Sequence, residues 1–270
     1  MKPLMAALGL LLAGCAGNDA PAPQAGDKPT IVSLNPCTDA ILAEVAAPGQ
    51  LLAISHYSKD ARSSSMATHD AARFASTGGT VEEVLALQPD VVVASTFLSP
   101  ATMAAMADLG LDVRTFGAAS TVEESIAQVR ELAALAGRED AGERLVAQIQ
   151  QALEDAASAG EPVEGALWQP GGIVPGEASL VSDLMRRTGF KSYAATRGMA
   201  QADYLSLEQV MADPPQVLLV AGTEAGQTHP VLDTVTEMRR ETFDTRLLYC
   251  GGPTIIEAAR RLAEIREGSA

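Results

Sequence analysis

Two glutamates occupy matching places in a repeated element. Residues 81–93 read VEEVLALQPDVVV and recur without a gap as residues 207–219, LEQVMADPPQVLL. One offset carries Glu82 onto Glu208, Val84 onto Val210, Ala86 onto Ala212 and Pro89 onto Pro215. Each glutamate falls near the first turn of a short predicted helix. A carboxylate there complements the helix dipole and can meet an arginine in a two-point contact. Two such contacts at equivalent places suit a partner that grips both halves of the chain. Cys37 and Cys250 are the other reactive pair. They could join as a disulfide, bind a soft metal with His56, or be unrelated small apolar residues; the disulfide ranks first. The spacing of His56, His69 and His229 demands no zinc site, and no metal ligands are assigned.

The elements that must position these residues follow from apolar patterning. The repeat period is far longer than a solenoid repeat and has the size of a domain. A β-branched run at 30–34 precedes a helical pattern at 38–45, and 51–55 reads as a second strand. Residues 61–74 are polar and serine-rich, a loop with one helical turn. The first repeat copy predicts a helix over 81–87 and a strand over 90–94, followed by a helix over 102–109 and a strand over 112–116. Alternating strands and helices predict a parallel sheet. Residues 121–157 are mostly helical, with apolar stripes broken at Gly137. From 139 to 157 a helix would span ~28 Å at 1.5 Å per residue, enough to serve as one rigid connector. A second lobe follows, with a strand over 166–169, a helix over 179–188, the second repeat copy, a last strand over 246–249 and a helix over 254–266. The expected class is α/β: two similar α/β lobes joined by a single long α-helix, with a ligand cleft between them.

Parallel α/β sheets bind ligands outside the carboxyl ends of their strands. Those ends supply Asn35, Pro36 and Cys37, then His56 and Tyr57, Gly79, Phe97, Trp168, Gly171 and Gly172, Thr223, and Gly251 and Gly252. The glycines let backbone amides approach a ligand closely. Tyr57, Phe97 and Trp168 are the stacking candidates, with Trp168 foremost as the single tryptophan at a strand end.

The N-terminus reads as an export signal. Lys2 precedes an uncharged apolar stretch at 4–13 that is too short to span a bilayer. It closes in Leu12-Ala13-Gly14-Cys15, which resembles a bacterial lipobox, with cleavage before Cys15 and a lipid on its thiol. The expected organisation is a lipoprotein signal peptide at 1–14, a flexible Ala/Pro/Gly tether at 15–28, an N-terminal lobe at 29–120, a connecting helical segment at 121–160 and a C-terminal lobe at 161–270. Acidic residues outnumber basic ones, 34 to 19, which argues against nucleic acid as a partner.

Several of these features together resemble a known family. They are the lipobox, the opening IVSLNP, the GGTVEEVLALQPDVVVA segment at 78–94, the long mid-chain helix and the second E-x-V element. This set resembles the helical-backbone substrate-binding proteins of ABC importers, the cobalamin and iron-siderophore binders, over about 31–262. The 78–94 segment is its most specific part, and His56-Tyr57-Ser58 after the second strand resembles the cobalamin binders. The resemblance implies a periplasmic, lipid-anchored monomer without a cofactor of its own. It implies delivery of a metal chelate, a cobalt or iron complex, to a permease dimer in the inner membrane, with Glu82 and Glu208 as docking residues. A corrinoid ranks first, a ferric siderophore or haem next. Few basic residues lie at the strand ends, unlike many siderophore binders, and aromatics make up only 4% of the chain, unlike many cobalamin binders. Two other classes stand beside this one. An enzyme is not expected, because no G-x-S-x-G, His-Glu-x-x-His or arranged carboxylate pair occurs. A periplasmic metal-binding chaperone would use Cys37, Cys250 and histidine.

Overall fold

A computed structural model describes residues 28–268. Cys15, the signal peptide and nearly all of the tether lie outside the described residues. The first lobe runs β1 (Ile31–Ser33), α1 (Pro36–Val45), β2 (Leu51–Ser55), α2 (Thr68–Ala71), β3 (Ser76–Thr77), α3 (Val81–Leu87), β4 (Val91–Ser95), α4 (Pro100–Asp108) and β5 (Val113–Phe116). Its five strands form one sheet, ordered β3-β2-β1-β4-β5, with every pairing parallel. Two helices follow, α5 (Val122–Leu135) and α6 (Glu139–Ala156), antiparallel neighbours around the Gly137 turn. The second lobe runs β6 (Val163–Trp168), β7 (Ile173–Val174), α7 (Leu180–Arg187), β8 (Phe190–Ser192), α8 (Tyr193–Thr196), β9 (Asp203–Tyr204), α9 (Leu207–Ala212), β10 (Val217–Val220), β11 (Arg239–Thr242) and α10 (Thr254–Glu267). Its main sheet, β11-β10-β6-β8, is also wholly parallel, and β7 and β9 pair antiparallel beside it.

The repeat is structural. In each lobe the opening strand pairs with the strand of the repeated element: β1 with β4, β6 with β10. The preceding helices start alike. Thr80 and Ser206 cap α3 and α9 by accepting from the backbone N–H three residues on, at Glu83 and Gln209. In α9 the Gln209 side chain returns the bond to complete a capping box. The strands VVVAS and VLLV are buried almost throughout, as central strands covered on both faces must be.

One core joins the lobes. Ile41 and Leu42 of α1, Val129 and Leu132 of α5, Leu145 and Ile149 of α6, Leu184 of α7 and Leu262 of α10 belong to a single buried cluster. Each lobe keeps a smaller cluster on the other face of its sheet, around Val92 and Met106 in the first and Trp168 and Leu218 in the second. The helix α6 packs on both α5 and α10, so the connector is a wall of the shared core rather than a free hinge.

Two expectations are corrected. The last strand is β11, not residues 246–249, which hold a 3₁₀ turn (Thr245–Leu247). Leu247 and Leu248 are apolar because they enter the shared core, whereas β11, Arg-Arg-Glu-Thr, is an edge strand with charged faces. The helix α1 begins at Pro36 rather than Thr38, because Asn35 caps it and proline suits its first turn.

Candidate functional site

A cavity lies at the carboxyl ends of β10 and β11, facing the first lobe, and a covalent bond joins the two lobes. Cys37, in the first turn of α1, is joined to Cys250 just before α10, with Cα atoms 4.9 Å apart. Beside it the connecting helix α5 touches the second lobe closely. The Gly252 N–H donates to the Ser125 hydroxyl of α5 at 2.7 Å, and Val122 N–H donates to Asp183 of α7 at 3.0 Å. One guanidinium nitrogen of Arg187, Nη2, donates to both carboxylate oxygens of Glu123 at 2.7 and 2.9 Å.

A cavity of about 750 Å³ opens between Arg62 of the first lobe and the strand ends of the second. Pro170, Gly222, Thr223, Glu224, Thr242, Asp244 and Tyr249 line it. Glu224 also accepts from the Gly171 N–H at 2.7 Å, and Tyr249 reaches toward Gln169 at 3.5 Å. Gln227, nearly fully buried, draws the strand ends together. Its amide donates to the carbonyls of Trp168 and Gln169, and its oxygen accepts from Glu224 N–H. Among the described residues four aromatic side chains are strongly exposed: Tyr57 after β2, Phe97 after β4, Tyr249 after β11, and Tyr204 in β9 of the small sheet; of these Tyr249 lines the cavity. In an aromatic-poor chain, exposed rings concentrated on strand ends suit a flat apolar ligand. The imidazole of His56 lies 4.0 Å from the Tyr57 ring and faces the Thr77 carbonyl at 3.3 Å.

The structure redistributes the expected ligand residues. Thr223 lines the cavity, and His56, Tyr57, Phe97 and Gly171 are exposed at strand ends. Gly79 is half-buried at φ +80°, beside Leu34. Asn35 and Pro36 shape the start of α1: the Asn35 oxygen accepts from the Cys37 N–H at 3.0 Å. Trp168 is a core residue, only 3% exposed, and its indole N–H donates to the Leu205 carbonyl at 2.8 Å. Gly172 is buried beneath Tyr204. Gly251 and Gly252 are likewise packing residues: a Cβ would stand 2.1 Å from the Ser125 hydroxyl at the first and 2.4 Å from Ile41 at the second. They are small because the lobes meet there. Both cysteine sulfurs are taken up in the disulfide, which removes the thiolates that the metal-chaperone reading requires. Among the described residues no cluster of three or more His, Cys, Asp or Glu could hold a metal ion.

Arg62, Asp244, Tyr204 and Tyr249 are site residues that the pattern reasoning missed. They lie in loops or a two-residue strand, where no periodicity points at them; the one signal was the position of Tyr249 beside Cys250. Asp39 was also missed. It is fully buried in α1, and burial pushes its carboxyl up to about 7 against the pull of hydrogen bonds from Ser58 and Ser55 and of the neighbouring Ser33 hydroxyl. An acid among Thr38, Ile41, Leu42 and Val45, on a buried helix, was its available signal.

Glu82 and Glu208 both occupy the second helical position, of α3 and α9 respectively, and both are exposed. Each helix runs back against the strand that follows it, so each glutamate stands at the carboxyl edge of its sheet. Bonds from its own backbone N–H and from Ser206 hold the Glu208 carboxyl below the usual range. Among the described residues neither glutamate has an ion-pair partner, whereas the neighbouring Glu83 is bound to Thr77 and to the Gly78 N–H.

The sequence profile described as "Periplasmic binding protein" matches residues 31–247, most of both lobes and the connector between them. The chain belongs to the periplasmic binding protein family. Solved structures of that family share its two-lobed fold. The periplasmic heme-binding protein RhuT of Roseiflexus sp. RS-1, in apo form, superposes with a TM-score of 0.71 at 20% identity, over 89% of this chain and 98% of that one. The heme-binding protein HutB of Vibrio cholerae gives 0.70 at 17%, over 88% and 98%. The vitamin B12 binding protein BtuF of the same organism gives 0.68 at 17%, over 90% and 98%. Among curated proteins no sequence matches this chain. At these identities the likeness establishes the fold and leaves the ligand open.

Proposed function

We propose that this periplasmic binding protein is the exported, lipid-anchored receptor of an ABC importer, and that its ligand is a planar metal chelate of the corrinoid or haem kind. The anchor is the lipid on Cys15, the location is the periplasm, and the partner is a permease dimer that docks on Glu82 and Glu208. The observation that carries the ligand reading is the exposure of Tyr57, Phe97 and Tyr249 after strands β2, β4 and β11, with Tyr249 lining a cavity of about 750 Å³. Structural relatives named for haem and vitamin B12 support it. A ferric siderophore fits less well. Highly anionic chelates want several cations, and among the described residues Arg62 is the single basic side chain lining the cavity, which Glu224 and Asp244 also line.

A thermal-shift screen of the tether-free protein against cyanocobalamin, dicyanocobinamide, haem and ferric siderophores tests the ligand reading. Ligand at 100 times its dissociation constant stabilises the fold by about 2.7 kcal/mol, a readily measured shift. No shift with any corrinoid or haem, alongside a shift with a siderophore, would overturn the choice of ligand class. For the docking residues, the Glu82→Ala/Glu208→Ala double variant should bind the screen's ligand with unchanged affinity and fail to support uptake. Weakened binding, or uptake at the normal rate, would overturn that assignment.

A further inference from the structure

Asp39 has no part in the docking or cleft surfaces described above, yet it is fully buried. One oxygen of its carboxylate is fully engaged. Oδ2 accepts from the Ser55 N–H at 2.9 Å and from the Ser58 hydroxyl at 2.7 Å. These two residues bracket His56 and Tyr57. Among the described residues Oδ1 has no hydrogen-bond partner, although it is buried. Burying a carboxyl with half of its acceptors unused is costly, and the surroundings offer hydroxyls but no cation to offset it: Ser33 and Thr38 bond to each other at 2.8 Å beside it. An apolar residue would fill this place in α1 at lower cost, so core packing does not account for the acid. What an apolar residue could not do is hold the turn after β2.

We propose that Asp39 is a positioning residue for the ligand cleft, fixing from beneath the 3₁₀ turn (His56–Lys59) that carries Tyr57 to the cleft edge. The turn is tied at its other end as well. The Lys59 ammonium donates to the carbonyls of Ala71 at 2.5 Å and Phe74 at 2.6 Å, and Ser63 donates to the Tyr57 carbonyl at 3.1 Å. With both ends anchored, the segment between them holds one conformation, while His56 and Tyr57 stay exposed. Asp39 also lies two residues beyond Cys37, so the same first turn of α1 that is bound to the second lobe holds the cleft turn of the first. The position of Tyr57 is thereby referred to the lobe junction. The role of Tyr57 toward a ligand rests on the proposed function; the hold on the turn does not.

The two parts are tested separately. Asp39→Leu removes both bonds and keeps the branch at Cγ with a larger side chain, while Asp39→Asn keeps the shape and an oxygen that can accept them. In Asp39→Leu, amide exchange at residues 55–59 should quicken at least tenfold, with the exchange of α5 and α6 unchanged; Asp39→Asn should stay within about threefold of wild type. Unchanged exchange in the turn, or equal quickening throughout the lobe, overturns the proposal. Should Asp39→Leu fail to fold, Ser58→Ala removes one bond alone and is expected to quicken the turn severalfold; no change there overturns the proposal equally. Binding is read by absorbance titration with haem and cyanocobalamin. Asp39→Leu should weaken a probe at least tenfold in the wild-type background and less than twofold in a Tyr57→Ala background, because the effect passes through Tyr57. Equal weakening in both backgrounds reduces Asp39 to a general structural role and overturns the cleft assignment. If neither probe binds the wild-type protein, the ligand reading fails, and the exchange experiment still decides whether Asp39 holds the turn.

Discussion

Removing the Cys37–Cys250 bond should cost much of the stability of this fold. The cysteines are 213 residues apart, so the bond closes a loop that contains most of both lobes. In the chain-entropy description a loop of that length removes about 5 kcal/mol of conformational freedom from the unfolded chain at 25 °C. That figure is an upper value, because the unfolded chain keeps residual structure. The native contacts around the bond remain when it is cut: the shared core, the Ser125–Gly252 bond and the Arg187–Glu123 pair do not depend on it. The loss should therefore appear mainly in the unfolded state. The Cys37→Ala/Cys250→Ala variant, unfolded by urea and followed by the fluorescence of the buried Trp168, should lose about 3–5 kcal/mol and show a larger denaturant slope, since its unfolded chain exposes more surface. Wild-type protein treated with a phosphine reductant should match it within about 1 kcal/mol, a difference set by the small loss of sulfur packing. A loss below about 1 kcal/mol with an unchanged slope would refute the reasoning, because the bond would then constrain nothing that the unfolded chain explores.

Three further outcomes are expected. Trp168→Phe should leave the affinity for haem or cyanocobalamin within twofold while costing about 1–3 kcal/mol in urea, since the Leu205 carbonyl loses its buried partner; a tenfold loss of affinity would return Trp168 to the cleft wall. Gly252→Ala should cost at least about 2 kcal/mol, because its φ is +64° and the new Cβ meets Ile41; a melting temperature equal to wild type would refute the close approach of the lobes. Asp39 makes stability depend on pH. Its carboxyl is raised to about 7 from an ordinary 3.8, so between those values the folded state binds more protons than the unfolded one. Its contribution therefore falls as pH rises through that window, reaching a cost of about 4 kcal/mol above pH 7. The stability difference of Asp39→Asn minus wild type should accordingly grow from pH 5 to pH 8; parallel pH curves would refute it.

Much of the architecture was legible because parallel sheets write themselves in apolar runs. The strands β2, β4 and β10 and the helices α3, α6 and α9 follow the residue pattern to within two positions. The strands β3, β7, β8 and β9 span two or three residues, too short for any periodicity. Where the fold was misread, burial by loops was the reason. Leu247 and Leu248 look like a strand because they enter the core from a 3₁₀ turn, and β11 does not look like one because an edge strand tolerates charge. The cleft was legible only in outline. Strand ends locate it, but the alternation of faces decides which residue looks out. In β6, Leu167 points to the shared core while Ala166 and Trp168 point to the outer one, so a residue at the very end of a strand is still buried. The glycines at 251 and 252 pointed rightly to a close approach of backbone, with a lobe on the other side instead of a ligand.

The placement of the shared core bears on how such a receptor can work. Two lobes on a flexible hinge would open widely and close on ligand, spending part of the binding free energy on ordering. Here the base of the cleft is closed by one apolar cluster spanning both lobes, by the disulfide, and by Ser125, Asp183 and Glu123 bonding from α5 and α7 across the junction. Relative motion is then confined to small sliding of packed helices, because a close-packed core shifts between discrete arrangements rather than deforming freely. On the proposed function, most of the site exists before ligand arrives, and a permease that holds Glu82 and Glu208 grips two points whose separation the junction fixes. Release of ligand then requires the permease to work against that junction. The Cys37→Ala/Cys250→Ala variant separates these ideas. If the junction governs release, this variant should keep its affinity for the bound chelate within about threefold and release it faster on permease-containing vesicles. If lobe closure drives capture instead, the same variant should lose affinity in proportion to its added freedom.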